Sequence, residues 1–221
     1  MRSMEAAADK GTVVYRDLQV GDLPAAAALH REVFADYFLG HMGQRFLELF
    51  YGEFVGRPGT YTVVALDGGH VVGTVIGATD LARVFSDFYR RHFVALAWQV
   101  MVRFLRDGYV RGHVRSRLPH VGRAIKSRLG IAKPTPAAVA EWPQAQLLSI
   151  GVAASQRGTQ VAAELMTRFC DRMAADGVDA VGLSVFEDNP RAIAFYERMG
   201  WTRGENSGGS ATFYRRLNAE A

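Results

Sequence analysis

Apolar and polar positions alternate along this chain in a way that predicts strands and helices in regular succession. The run TVVYRDLQV, Thr12 to Val20, has the period of two expected of a half-buried strand. GDLPAAAALHREVF then takes helical spacing, entered through Asp22 with Pro24 in its first turn, and GQRFLELFYGEF predicts a second helix. Two β-rich runs follow in TYTVVALDGGHVVGTVIGAT. Asp67, Gly68 and Gly69 between them are a hairpin signal, because glycine supplies the positive φ of a tight turn.

The return to the sheet is then delayed from about residue 81 to about 143. Phe85 to Asp107 has the spacing of one long helix with an apolar middle, FVALAWQVMVRFL. Val114, Leu118, Val121, Ile125 and Leu129 give a second helix a narrower stripe, and KPTPAAVAEWPQ leads back. Gln99 and Arg103 interrupt the apolar run, which is shorter than the ~20 residues of a membrane span. After the insertion, AQLLSIGV predicts a buried strand, about Gly158 to Asp176 a helix, and DAVGLSVF a strand. The last elements are a helix opened by Asn189 and Pro190 and closed by Gly200, then a strand at ATFYRRL after the loop ENSGGS. This order predicts a single α/β domain over 1–221, with the helical insertion between its third and fourth strands.

Charge adds one feature to this picture. The net charge of +4 divides unevenly: residues 83–133 hold twelve Lys or Arg against Asp87 and Asp107, so that segment carries +10 and the remainder −6. A basic block of this kind suits a local anionic partner. Few aromatics stand among the arginines of Arg111 to Lys133, which argues against stacking on single-stranded nucleic acid. A membrane surface and a second copy of the chain stay open as partners. The single cysteine, Cys170, lies at helical spacing among apolar neighbours and reads as a buried structural thiol. The first residues, MRSMEAAADKG, lack the apolar core of a secretory signal, so a cytoplasmic protein is expected. His30, His41, His70, His92, His113 and His120 show no metal-ligand spacing, and no metal is expected.

The chemistry is concentrated in the last third. The turn AASQRGTQVAAELM joins a strand to a helix N-terminus, where free N–H groups and the helix dipole favour an anion. It lacks the Gly-Lys-Ser/Thr ending of a nucleotide-binding P-loop. Further on, FEDNPRAIAFYERMGW places Ala192, Phe195 and Met199 on one helical face and adds Tyr196, which helix grammar does not explain.

These two stretches together resemble the GNAT superfamily of acetyl-CoA-dependent N-acetyltransferases. The first resembles its Arg/Gln-x-x-Gly-x-Gly/Ala loop, here Arg157, Gly158, Thr159, Gln160, Val161 and Ala162 after Ile150, Gly151 and Val152. The second matches Asn-x-x-Ala-x-x-Phe-Tyr-x-x-x-Gly-Phe/Trp without a break from Asn189 to Trp201. The departure is Gln160, which stands where the family has its central glycine and would crowd the loop or change how tightly CoA binds.

The resemblance implies a mixed, mostly antiparallel central sheet flanked by helices. Strands Gln146 to Val152 and Ala180 to Phe186 would splay, and the pantetheine arm of acetyl-CoA would pair with Ile150 and Val152 as an added strand would. The amides of 157–162 would hold the pyrophosphate, and Asn189 would bind pantetheine or set the helix that carries the tyrosine. Tyr196 would be the general acid, since a phenol of ordinary pKa ~10 suits protonation of a thiolate leaving group. A backbone N–H of Ile150 to Val152 would steady the oxyanion. Glu187, Ser149, Glu32 or a water bound by the backbone would serve as the base.

A second likeness, in REVFADYFLGHMGQRFLELFY, is to GNAT members of polysaccharide and sugar modification. It implies Phe34, Tyr37, Phe38, His41 and Arg45 as acceptor contacts, against a plain reading of the Phe residues as helix core. The acceptor would then be a primary amine on a small molecule such as an amino sugar. The alternatives are a sensor that binds acetyl-CoA without turnover, and a basic module that holds nucleic acid or a membrane surface on the same scaffold.

Overall fold

The protein is described here from a computed structural model covering residues 12–92, 143–206 and 208–218. Its strands are β1 (Val14–Arg16), β2 (Thr60–Asp67), β3 (His70–Ala78), β4 (Ala145–Val152), β5 (Ala180–Phe186), β6 (Thr202–Arg203) and β7 (Ser210–Arg216). They form one seven-stranded sheet in the order β1-β2-β3-β4-β5-β7-β6. Every neighbouring pair is antiparallel except β4 and β5. The mixed, mostly antiparallel sheet expected from the sequence is therefore present.

The helices are α1 (Leu23–Val33), α2 (Phe38–His41), α3 (Gln44–Gly52), α4 (81–92, where the described segment ends), α5 (Val161–Ala175) and α6 (Pro190–Arg198). Helices α1, α3 and α4 cover one face of the sheet around Phe50, Phe54 and Phe88, packed on Val64 and Ile76. On the other face α5 and α6 bury Phe169, Leu165 and Tyr196 against Val75, Leu183 and Phe213. Burial of each such side chain contributes about 1.5–3 kcal/mol, so alternate strand positions facing two helical layers fix the register. Cys170 is buried in the second layer, and burial pushes its thiol up to about 11.

Local grammar accounts for most element ends. The β2–β3 hairpin turns at Gly68 and Gly69, with φ of 54° and 82°, and Asp67 faces His70. Asp22 precedes α1 as expected, but its carboxylate does not cap the helix: it binds Arg16 at 2.6 Å and 2.9 Å and accepts the Gln19 N–H. Strand β1 is shorter than its alternating pattern predicts. Past Arg16 the chain turns away, with the Leu18 N–H donating to Thr62 Oγ1 and Asp17 paired to Arg172 of α5.

The segment between β3 and β4 begins with α4, four residues earlier than the sequence spacing predicts. Its first turns are tied to the core by ions. Glu53, buried after α3, binds Arg57 at 2.9 Å, Arg91 at 3.0 Å and His92 at 3.3 Å, while Asp87 pairs with Arg57 and Arg90. Of the arginines of the basic block, Arg91 thus pairs with an acid outside it and Arg90 with the block's own Asp87. The rest of its charge, with the long helix expected past 92, the second helix and the Pro-rich return through 142, falls on residues outside the described ones. Among the described residues no helix is long and apolar enough to cross a membrane.

Candidate active site

The site begins where β4 and β5 part. They pair only at Ala145 with Val181 and Gln146 with Gly182. Beyond these two pairs β4 continues along β3 to Val152, and β5 continues along β7 to Phe186. A strand aims its N–H and C=O groups alternately at its two edges, so half of those from Leu147 to Val152 open into the gap. The expected splay is present, with Ile150, Gly151 and Val152 on its margin.

At the end of β4 the chain turns into α5 through Arg157, Gly158, Thr159 and Gln160. The loop is held from within. Thr159 Oγ1 donates to the Gln156 carbonyl at 2.8 Å and accepts the Val161 N–H at 3.3 Å, while Gln156 Nε2 reaches Asp67 Oδ2 of the hairpin at 3.1 Å. The N–H groups of Gly158, Gln160 and Ala162 take no partner among the described residues. Gly158 has φ 80° and nothing within 4 Å of where a Cβ would stand, so the loop presents bare backbone. Free amides at the N-terminus of a 15-residue helix suit a pyrophosphate.

Gln160 stands at the end of this loop. It precedes α5 at φ −79° and ψ −2°, a conformation open to any residue, and its side chain is exposed.

Across the gap lies α6, built as its sequence prescribes. Asn189 Oδ1 accepts the Ala192 N–H at 3.1 Å, Pro190 occupies the first position, and Gly200 ends the helix at φ 75°. Phe195 and Met199 pack on the core, and Tyr196 is 7% exposed, ringed by Trp201 and Phe213 at 6.0 Å and 5.6 Å. Burial, and secondarily Tyr37, push the Tyr196 phenol well above its usual range. It therefore carries its proton at every physiological pH, which suits a donor, although it is a weaker acid than an ordinary phenol.

Of the five residues expected to meet the acceptor, Phe34 and Tyr37 pack against the strands of the splay. Phe34 lies on Gly151, and a Cβ there would come 3.1 Å from Phe34 Cε2. Tyr37 follows edge-on to Phe34 at 5.7 Å, packs on Phe186 at 5.3 Å and accepts from Asn189 Nδ2 at 3.3 Å. The α1–α2 connection thereby bridges both strands of the splay. Residue 38 opens α2, while its side chain lies outside the described ones. His41 is half-buried at the end of α2, and Arg45 is exposed on the first turn of α3.

Of the candidate bases, Glu32 and Glu187 are exposed. Ser149 points under the sheet, where its Oγ is buried beside the Tyr51 hydroxyl without meeting hydrogen-bond geometry. Sequence reasoning missed this polar cluster. His30 Nδ1 meets the Tyr51 hydroxyl at 3.0 Å, the His30 ring packs tilted on Phe34 with centroids 4.7 Å apart, and burial lowers its pKa to about 4. Polar residues at apolar helix positions, His30 in α1 and Tyr51 in α3, were the available signal. Among the described residues no three His, Cys, Asp or Glu side chains are grouped to hold a metal.

A separate cavity of about 610 Å³ opens between Leu18, Phe54, Tyr61 and the C-terminal end of α5. Helix α5 spans roughly 22 Å, so this cavity is remote from the loop at its N-terminus. Its polar groups satisfy one another, with Arg172 on Asp17 and the Thr62 carbonyl and Tyr61 on Asp176 at 2.9 Å. The splayed cleft, not this cavity, unites the sequence motifs.

The sequence profile of the acetyltransferase (GNAT) family matches residues 26–201, and the chain belongs to that family of acetyl-CoA-dependent enzymes. No curated protein sequence matches it. Among solved structures it is similar to SsHAT, with 24% identity and a TM-score of 0.64 over 94% of this chain and 100% of that one. Arabidopsis thaliana NAA60 in complex with acetyl-CoA has 17% identity and a TM-score of 0.56, over 94% and 100% of the two chains. PaiA N-acetyltransferase from Thermoplasma acidophilum, in complex with coenzyme A, has 11% identity and a TM-score of 0.52, over 93% and 99%. At these identities the likeness is one of fold.

Proposed function

We propose that the protein moves the acetyl group of acetyl-CoA directly to a primary amine on a small molecule, an amino sugar or nucleotide-linked amino sugar. The observation that carries this reading is the parting of β4 from β5 beside a loop of free amides, with Tyr196 buried on the helix that follows β5. The pantetheine arm would pair with β4 at Ile150 and Val152, its pyrophosphate on Gly158 to Ala162. Attack by the neutral amine puts negative charge on the thioester oxygen, where an N–H from Ile150 to Val152 stabilises it. Collapse breaks the C–S bond, and Tyr196 protonates the departing sulfur. No described contact aims Glu32, Glu187 or Ser149 at Tyr196, so we assign the proton of the amine to a water at the cleft mouth.

The acceptor class rests on Phe34 and Tyr37. Aromatic faces beside hydrogen-bonding groups suit the apolar face and hydroxyls of a sugar ring. Release of free CoA separates this reading from a sensor that binds acetyl-CoA without turnover. We hold 1–221 to be one acetyltransferase domain acting in the cytoplasm, with an insertion at about 81–143 that meets a phosphate-bearing acceptor or a membrane surface. Incubation with acetyl-CoA and nucleotide-linked amino sugars, polyamines, aminoglycosides or peptide amines, followed by release of free CoA thiol, tests the reading. Amine-dependent release fastest with an amino sugar is expected. Release with peptide amines alone would overturn the acceptor class.

A further inference from the structure

Val14, Val20, Tyr89 and Phe186 are the exposed large apolar residues among the described ones, and of these Phe186 stands at the gap. It ends β5, farthest from the two pairs that join this strand to β4, and half of it is open to solvent. The strand's alternation sets its direction. Val181, Leu183 and Val185 point into the layer under α5 and α6, so Ser184 and Phe186 turn to the opposite face of the sheet. On that face the apolar cluster of α1, α3 and α4 covers β2, β3 and β4 as far as Leu148, and it takes in no residue of β5. Ser184 is accordingly exposed.

Tyr37 reaches Phe186 from the α1–α2 connection, with ring centroids 5.3 Å apart and planes inclined by 37°. The polar end of Tyr37 is oriented too. Asn189 Oδ1 accepts the Ala192 N–H at 3.1 Å, which settles the amide orientation and places Nδ2 3.3 Å from the Tyr37 hydroxyl. Nδ2 can only donate, so the Tyr37 oxygen accepts there and its own proton is left for a ligand. An open aromatic face and a fixed hydroxyl donor thus stand side by side at the edge of the cleft.

We propose that Phe186 is a specificity-determining residue for the acceptor, its exposed ring receiving the apolar face of a cyclic amine while the Tyr37 hydroxyl donates to an oxygen on that ring. The proposal rests on the acetyl transfer to an amino sugar read above and names what selects it. A sugar ring has both features, C–H groups on one face and oxygens at its rim, whereas a linear amine offers no face to stack.

The test is steady-state kinetics on the full chain with saturating acetyl-CoA and a nucleotide-linked amino sugar, with acetyl-CoA Kd measured on each variant. Phe186→Ala is expected to raise acceptor KM about tenfold, with kcat and acetyl-CoA Kd within about twofold, the signature of lost ground-state binding. Phe186→Leu keeps apolar bulk against Tyr37 without an aromatic face and is expected to behave like Phe186→Ala, while Phe186→Tyr restores KM to within about twofold. Tyr37→Phe keeps the ring on Phe186, loses the donor and is expected to raise KM about fivefold. Unchanged KM in Phe186→Ala or Tyr37→Phe, recovery by Phe186→Leu, which would make Phe186 a prop for Tyr37, or a loss of acetyl-CoA affinity instead would each overturn the proposal and leave the acetyltransferase reading intact. A wild-type protein that transfers nothing to the amino sugar would end both.

Discussion

Phe34 rests on β4 at Gly151, where any side chain would meet it: a Cβ would stand 3.1 Å from Phe34 Cε2 and 3.3 Å from Val33 Cγ1. The contact joins the wall of the acceptor side to the strand whose backbone is assigned to pantetheine and the oxyanion. Gly151→Ala is therefore expected to move Phe34 by a few tenths of an ångström at a cost of about 1 kcal/mol. Acceptor KM should rise severalfold while calorimetry finds acetyl-CoA affinity within about twofold. Lost acetyl-CoA affinity at constant acceptor KM would place Phe34 outside the acceptor pocket.

Gly158 has φ 80° in the loop and open space around it. Gly158→Ala adds only backbone strain, of order 1 kcal/mol, and should weaken acetyl-CoA severalfold. Gly158→Glu adds an anion against the pyrophosphate and should weaken it by a further factor of about ten. Equal affinities for the two variants, measured by calorimetry, would remove the pyrophosphate from this loop.

His30 gives stability a pH dependence of definite sign. Burial lowers its pKa from 6.5 to about 4, so between these values the unfolded chain binds a proton that the folded one refuses. Stability should fall by up to about 3 kcal/mol as pH drops through that window. Asp22, held below the usual carboxylate range by its hydrogen bond to Arg16 against opposing burial, adds a loss only at lower pH. Urea unfolding at stepped pH measures the curve, and His30→Asn should flatten it between 6.5 and 4. A slope that survives the substitution would locate the titrating group elsewhere.

Much of this architecture can be read from local sequence, because local rules decide it. Asn189, Pro190 and Gly200 mark the ends of α6, Asp67 to Gly69 mark the hairpin, and the apolar run Ala145–Val152 is β4 residue for residue. Tertiary contacts defeated the reading elsewhere. Alternation extends β1 past Arg16, but Thr62 and Arg172 draw the chain off the sheet. The polar pair β6, Thr202–Arg203, has no pattern of its own and forms only because β7 offers an edge. In the site, the loop and Tyr196 carry recognisable motifs, whereas Phe34 on Gly151 and Tyr37 on Asn189 join distant segments.

The central claim is that Tyr196 is the acid in an acetyl transfer from acetyl-CoA to an amine. The most direct measurement compares amine-dependent release of CoA thiol by the wild type and Tyr196→Phe, with acetyl-CoA Kd measured on both. Turnover of Tyr196→Phe is expected to be lower by roughly 10²-fold or more at a Kd within a few-fold, the scale of a lost general acid. Equal turnover by the two proteins would contradict it and leave Tyr196 as a packed residue of the core.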